Sequence, residues 1–311
     1  MITPLRPMST GEILDRTFNL YRNNFVLFAG IAVLPPALML VVNLIQAGFM
    51  ATPAHPKPLV TGFAAAAVIA AVLAGIAYLV GISVAHAATV FAVSAVHLER
   101  TTTIGESYGR VKGRYGRVVW VIFQAALRSF GPSMLLIIVV AAIAMPLLIK
   151  GGGGAAGALA GIVIFLAIIA AAVLGLVLYL RYSLAVPACV LEDIPASDAI
   201  KRSVVLSAGS RGKIFVIYFL MGLINYIILV VFMIPAAILA VAVAKGSPAV
   251  TSLFTSLATF LAGALAGPIA TIALSLVYFD QRVRKEAFDL QLMMAAVDGT
   301  PLPGAQAASA G

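Results

Sequence analysis

The chain has 311 residues, of which 62% are hydrophobic and 10% charged, with a formal net charge of +9. Soluble domains carry about a quarter of their residues as charged side chains, so a water-soluble globular fold is excluded. The basic excess gathers beside apolar runs and reads as membrane sorting, so no nucleic-acid partner is expected.

The first polar segment contains Ser9-Thr10-Gly11-Glu12-Ile13-Leu14-Asp15-Arg16. Because this mixed-charge stretch precedes the first apolar run, a cleavable signal peptide is not expected. Ser9 stands three residues before Glu12, the signature of a capping box. Glu12 stands four before Arg16, the favourable order for an ion pair on one helix face. Ile13, Leu14, Phe18 and Tyr21 follow at helical spacing. A short amphipathic helix is expected here, either lying along the inner membrane surface or packed on the bundle ends.

The uncharged runs that follow are 23–56, 58–98, 129–149, 151–180, 214–244 and 246–279. Each supplies the roughly 20 apolar residues that a spanning helix needs. Since irregular backbone cannot face lipid, six spanning helices are predicted. Pro35, Pro36, Pro146, Pro187, Pro235 and Pro268 should kink or break them.

The opening pattern returns twice. Thr103-Ile104-Gly105-Glu106-Ser107-Tyr108-Gly109-Arg110 repeats the capping box and the acid-to-Arg spacing. Pro195-Ala196-Ser197-Asp198-Ala199-Ile200-Lys201-Arg202 keeps the spacing, with Ile200, Val204 and Val205 as its apolar face. Each copy precedes two apolar runs, and the turns between runs hold Pro53/Pro56/Pro58, Gly151–Gly154 and Gly246/Pro248. The expected fold is an all-α integral membrane protein. Its six transmembrane helices form three quasi-repeated hairpins (about 5–99, 100–192 and 193–292), each preceded by a cytoplasmic amphipathic helix. Residues 1–297 make one polytopic domain, and 298–311 form a disordered tail. The pairs Glu12/Arg16, Glu106/Arg110 and Asp198/Arg202 would hold the amphipathic helices.

Orientation follows from the charges. Arg6, Arg16 and Arg22, then Arg100 to Arg117, then Lys201 to Lys213, then Arg282 to Lys285 occupy alternate connections, while the opposite loops hold only Lys57, Lys150 and Lys245. All eleven acids share the basic side, and none lies within an apolar run. Both termini are therefore expected in the cytoplasm. Trp120, Tyr179, Tyr182 and Tyr278 read as interface anchors. Gly157-x-x-x-Gly161 and Gly263-x-x-x-Gly267 allow close helix approach, within the bundle or between protomers. Cys189 is the lone cysteine, so no internal disulfide is possible, and it reads as a small buried hydrophobe.

Leu5-Arg6-Pro7-Met8-Ser9-Thr10-Gly11-Glu12-Ile13-Leu14-Asp15-Arg16 with Leu20-Tyr21-Arg22, Arg181 to Pro187 with Glu192 to Ser203, and Tyr278-Phe279-Asp280-Gln281-Arg282 to Leu290 together resemble a prokaryotic family. It is the family named for the glycerophosphoryl diester phosphodiesterase membrane domain, and the likeness covers about residues 5–292. In that family the membrane bundle can be joined to a soluble phosphodiesterase domain. No stretch of this sequence supplies that domain, whose chemistry needs carboxylates and histidines around a divalent metal. His55, His86 and His97 have no acid partners. The resemblance thus implies a stand-alone membrane module in the prokaryotic inner membrane, without the hydrolytic activity.

Catalytic signatures are missing. No zinc-protease helix motif or phosphate-binding loop occurs, Ser129 and Ser133 have no His at an obvious spacing, and no cofactor or metal is expected. His86 lies within the second span, as a hydrogen-bonded structural residue or a path-lining one. Arg128 and Arg181 are the sharper feature. Each stands 11 residues, about 16 Å along a helix, from a cytoplasmic polar marker (Arg117 and Glu192), so they should share a depth. Without a carboxylate at that level, they either bind a lipid phosphate or mark the inner interface by snorkelling. The expected function is non-enzymatic: binding anionic phospholipid or scaffolding a membrane partner, with membrane lipids, a membrane protein or a second copy as partners. The alternative is a permease or flippase for a lipid-like or glycerophospho substrate.

Overall fold

A computed structural model describes residues 6–51, 60–151, 154–244 and 247–287, with no account of the side chains of 47–51, 60–67, 151 and 244. Every regular element among them is a helix: α1 Thr10–Asn23, α2 Phe25–Ala32, α3 Leu34–Ala51, α4 Val60–His97, α5 Ile104–Val111, α6 Tyr115–Gly151, α7 Ala155–Tyr182, α8 Ala185–Leu191, α9 Ala196–Ser207, α10 Arg211–Ala244 and α11 Pro248–Glu286. Five stretches are long and apolar enough to cross a membrane. The bent pair α2–α3 makes a sixth if taken as one span. Pro53, Pro56, Pro58, His55, Lys57, Lys245, Gly246, Leu5, the 288–290 end of the closing motif and the 298–311 tail lie outside the described residues.

The local signals hold where they are short-range. Ser9 caps α1 and Thr103 caps α5, each in a complete capping box with the glutamate three residues on. At Pro35 and Pro36 the apolar run bends by 41° between α2 and α3, because neither proline can donate an amide to the carbonyl four residues back. The carbonyl that Pro35 leaves open, Ile31 O, accepts the Tyr108 hydroxyl at 2.6 Å. Burial, and next the neighbouring Tyr115, push that phenol up to about 12. Pro146, Pro235 and Pro268 lie inside helices that run on past them. The helix pair before Pro187 breaks at Ser183 and Leu184.

α11 is the axis of the molecule. In its most apolar stretch 61% of the residues are buried by protein, against 11% in α6, α7 and α10. It packs along α10 and α3 and reaches α1, α2 and α4. Gly263 and Gly267 face the Pro36 and Ala32 side chains at 3.2 and 3.6 Å from where a Cβ would stand. This close approach lies inside the bundle. α6 and α7 pair antiparallel, with the Phe130 and Tyr179 rings 6.0 Å apart and Gly175 against Ser133.

The core lies at the end of the bundle that carries the charges. Ile13, Phe28, Leu184, Leu206, Ile214, Leu276 and Tyr278 are fully buried there. In contrast, Leu135, Ile138 and Ile143 of α6, Ile162 and Phe165 of α7, and Ile234 and Ile238 of α10 are exposed, as side chains meant for lipid would be. α11 has 39 residues, about 58 Å at 1.5 Å per residue, whereas the hydrocarbon layer is about 30 Å thick. Its surplus length meets α1 and α9 at the charged end.

The short helices α1 and α9 pack against the charged-end portions of the long ones. α1 buries Ile13, Thr17 and Leu20 against α11, and α9 buries Ala199, Ile200, Ser203 and Leu206 beside α8. Phe18 and Val205, on the apolar faces read from the sequence, are 39% and 57% exposed and do not share in this packing.

Candidate functional site: a polar intramembrane cavity above a charged collar

The charged end is tied by two ionic networks. In the first, the Asp280 carboxylate is fully buried and accepts Lys213 Nζ at 2.7 Å, Arg284 Nε at 3.1 Å and the Met8 amide at 2.7 Å. The Met8 carbonyl accepts Lys213 and Arg284 in turn, at 2.6 and 2.8 Å. In the second, Glu192 accepts the Tyr278 hydroxyl at 2.6 Å and Arg202 Nε at 2.9 Å. Arg202 also pairs with Glu286, which pairs with Arg282 at 3.1 Å. Burial lowers the Arg202 pKa, but its bonds to Glu192 and Glu286 outweigh this and raise it. The described parts of all three family-like stretches thus meet in one collar.

These contacts correct the expected acid–Arg pairs within each short helix. Among the described residues, none of Glu12/Arg16, Glu106/Arg110 and Asp198/Arg202 forms an ion pair. Glu12 and Glu106 fold back onto the Ser9 and Thr103 amides at 2.7 and 2.9 Å, so neither carboxylate points forward along its helix. The hydrogen bond from the Ser9 amide, above all, holds the Glu12 carboxyl below its ordinary range. Glu12 also takes Arg6, Asp198 takes Lys201 at 3.2 Å, and Arg202 leaves for α8 and α11.

The antiparallel α6–α7 pairing, with Phe130 beside Tyr179 and Ser133 beside Gly175, carries Arg128 and Arg181 at neighbouring levels of the two helices. Their surroundings differ. Arg128 is exposed, whereas Arg181 is partly buried, with its guanidinium 5.9 Å from the Tyr182 ring centre and its Nε buried without a partner. The Arg181 carbonyl accepts the hydroxyls of Ser203 and Ser207 from α9, at 3.0 and 3.1 Å. Arg181 therefore sits level with a polar helix, because α9 folds back along α8.

Between the long helices lies a cavity of about 560 Å³, open on one side. Its walls come from α2–α3, α4, α10 and α11 and carry Asn43, Tyr78, His86, Thr89, Asn225, Thr259 and Thr271 among apolar residues. The bend at Pro35/Pro36 borders it, as does Pro268 within the continuous α11. A second cavity of about 200 Å³ lies among α4, α6, α7–α8, α10 and α11. Ser129, Tyr179, Tyr182, Ser183 and Tyr218 line it. His86, Ile82, Ala270 and Thr271 belong to both walls. Among the described residues neither cavity is lined by a Lys, Arg, Asp or Glu, so Arg128 and Arg181 stand beside the smaller one and not in it.

Asn43 and Asn225 are the residues the sequence reading passed over. After Asn24 they are the only asparagines in the apolar runs, and the fold brings both to one cavity together with His86. Neither the asparagines nor His86 makes a side-chain hydrogen bond to another described residue. Unsatisfied polar groups in hydrocarbon cost several kcal/mol each, so their convergence marks a place where water or a ligand supplies the missing partners. The available signal was an amide in an otherwise uninterrupted apolar run. His97, by contrast, is buried against the Phe279 ring at 5.2 Å, away from both cavities. No group of three or more His, Cys, Asp or Glu residues gathers as metal ligands would, among the described residues.

Compared with protein-family models, curated proteins and solved structures, the chain has no match.

Proposed function

We propose that this protein is a non-enzymatic, multi-pass module of a prokaryotic inner membrane that holds a lipid-like amphiphile between its helix hairpins, with both termini in the cytoplasm. The observation that carries the reading is the convergence of Asn43, Asn225 and His86, unpartnered, on one cavity of about 560 Å³. That volume falls within the usual small-molecule range of roughly 300–1,000 Å³. The three short helices and the hairpins that follow them are read as quasi-repeats, and Arg128 and Arg181 as contacts for a lipid phosphate beside the smaller cavity. The resemblance to the glycerophosphoryl diester phosphodiesterase membrane-domain family is consistent with this role. A membrane partner protein or a second copy would then dock on a lipid-loaded bundle.

The test is photocrosslinking in native membranes with a bifunctional lipid precursor. Adducts should map to α3, α4, α10 and α11 and disappear in Asn43→Leu/Asn225→Leu. Adducts confined to the exposed faces of α6 and α7 would return the protein to a scaffolding role. A second reading, a permease or flippase, is favoured by the two cavities sharing the His86 wall. Saturable uptake of a lipid-like substrate into proteoliposomes would establish it.

A further inference from the structure

Resting on that reading, the chemistry of the larger cavity narrows the ligand. We propose that it takes an amphiphile with an uncharged, hydroxyl-bearing head, such as a glycerol or sugar headgroup, and excludes an anionic phosphate from the same seat. The first argument is charge. Among the described residues no Lys or Arg lines the cavity, so a phosphate entering it would lose its hydration with no cation from these walls in return. A buried, unpaired charge costs several kcal/mol, whereas a hydroxyl exchanges one set of hydrogen bonds for another.

The second argument is the balance of donors and acceptors. A phosphate diester only accepts hydrogen bonds. The cavity wall itself offers acceptors in the Asn43 and Asn225 amide oxygens, and Ala32, whose carbonyl would normally meet an amide at position 36, where a proline stands, is a further lining residue. A head carrying several hydroxyls can donate to these groups and accept from the asparagine and tyrosine donors.

The third argument is the opening. Asn225 is exposed on α10 and Tyr78 is 38% exposed on α4. Both wall residues are thus reachable from outside the bundle, on helices whose exposed side chains include Leu73, Ile76, Leu223 and Ile227. A head can sit inside while its acyl chains remain in the bilayer.

The deciding measurement is native mass spectrometry of the full chain released from nanodiscs. One set would hold a monoglucosyl diacylglycerol and the other phosphatidylglycerol, with the same acyl chains and mole fraction. Wild type should retain the glycolipid at least tenfold over phosphatidylglycerol. The glycolipid should be lost in Asn43→Leu/Asn225→Leu and weakened in the near-isosteric Thr271→Val. Monodisperse elution of each variant controls for folding. Phosphatidylglycerol retained preferentially, and lost in the asparagine double variant, would overturn the head-group assignment while keeping the cavity as a ligand site. Retention of both lipids in all cavity variants would overturn the assignment and the proposed function together.

Discussion

Asp280→Asn tests whether the collar is held by charge. In the folded protein the carboxylate is completely buried and has Lys213 Nζ at 2.7 Å, with the lysine side chain only 17% exposed. Arg284, the other cation, is 43% exposed and keeps much of its water, so its loss contributes little. Breaking a buried pair from one side typically costs about 3–5 kcal/mol, because the surviving charge is left without a partner. An amide at position 280 still accepts some of the hydrogen bonds, so the lower figure applies. About 3 kcal/mol is a roughly hundredfold rise in the unfolded fraction. The assay is a sodium dodecyl sulfate titration in dodecyl maltoside micelles, followed by helical circular dichroism. Lys213→Met in the Asp280→Asn background removes the stranded ammonium and should recover part of the loss. A cost below about 1 kcal/mol for the single variant, or simple additivity in the double variant, would refute the assignment.

Further outcomes follow from other contacts. Tyr108→Phe leaves Ile31 O without the hydroxyl that offsets Pro35, and should cost about 1–3 kcal/mol, read in the same titration. An unchanged midpoint would show that water replaces the phenol. With its pKa raised to about 12, Tyr108 contributes fully below the ordinary tyrosine range, and that contribution is lost as pH rises through about 12. The Glu12 cap has the opposite sign. Its lowered pKa stabilises the start of α1 above the ordinary carboxylate range and is lost as pH falls through the depressed value. Hydrogen exchange of the 6–16 segment should therefore lose protection in acid, and Glu12→Gln should flatten that dependence. Asn43→Leu/Asn225→Leu should raise the thermal midpoint in detergent while abolishing ligand retention, since polar groups kept for binding weaken an apolar bundle. A lower midpoint would mean that the asparagines serve packing.

The parts of this structure legible in the sequence are those decided over short range. Ser9 with Glu12 and Thr103 with Glu106 needed only three residues to declare a helix start, and Pro35 with Pro36 announced the bend locally. The apolar runs gave the span positions because hydrocarbon thickness is a fixed ruler. Partner choice was not legible. Arg202 looked committed to Asp198 four residues away, yet two carboxylates brought in by α8 and α11 hold it. The polar neighbours of Arg181 were not legible either, because the hydroxyls of Ser203 and Ser207 reach its carbonyl only once α9 returns alongside. Asn43 and Asn225 escaped notice for a different reason: a search centred on charge overlooks neutral amides, whose significance appears only once three helices bring them together.

The position of Asp280 near the end of the last long helix has a consequence for biogenesis. The ribosome delivers α1 and Met8 first and Lys213 much later, but the carboxylate that joins them is made only after nearly all of the chain has been inserted. Until then the Met8 backbone and the Lys213 ammonium lack this partner, and the seat of α11 beside α3 and α10 is empty. Assembly cannot close from α1 onward; it waits for α11. A chain truncated after Leu276 should remain an open set of helices, cut readily by protease at the charged end, where the longer chain resists.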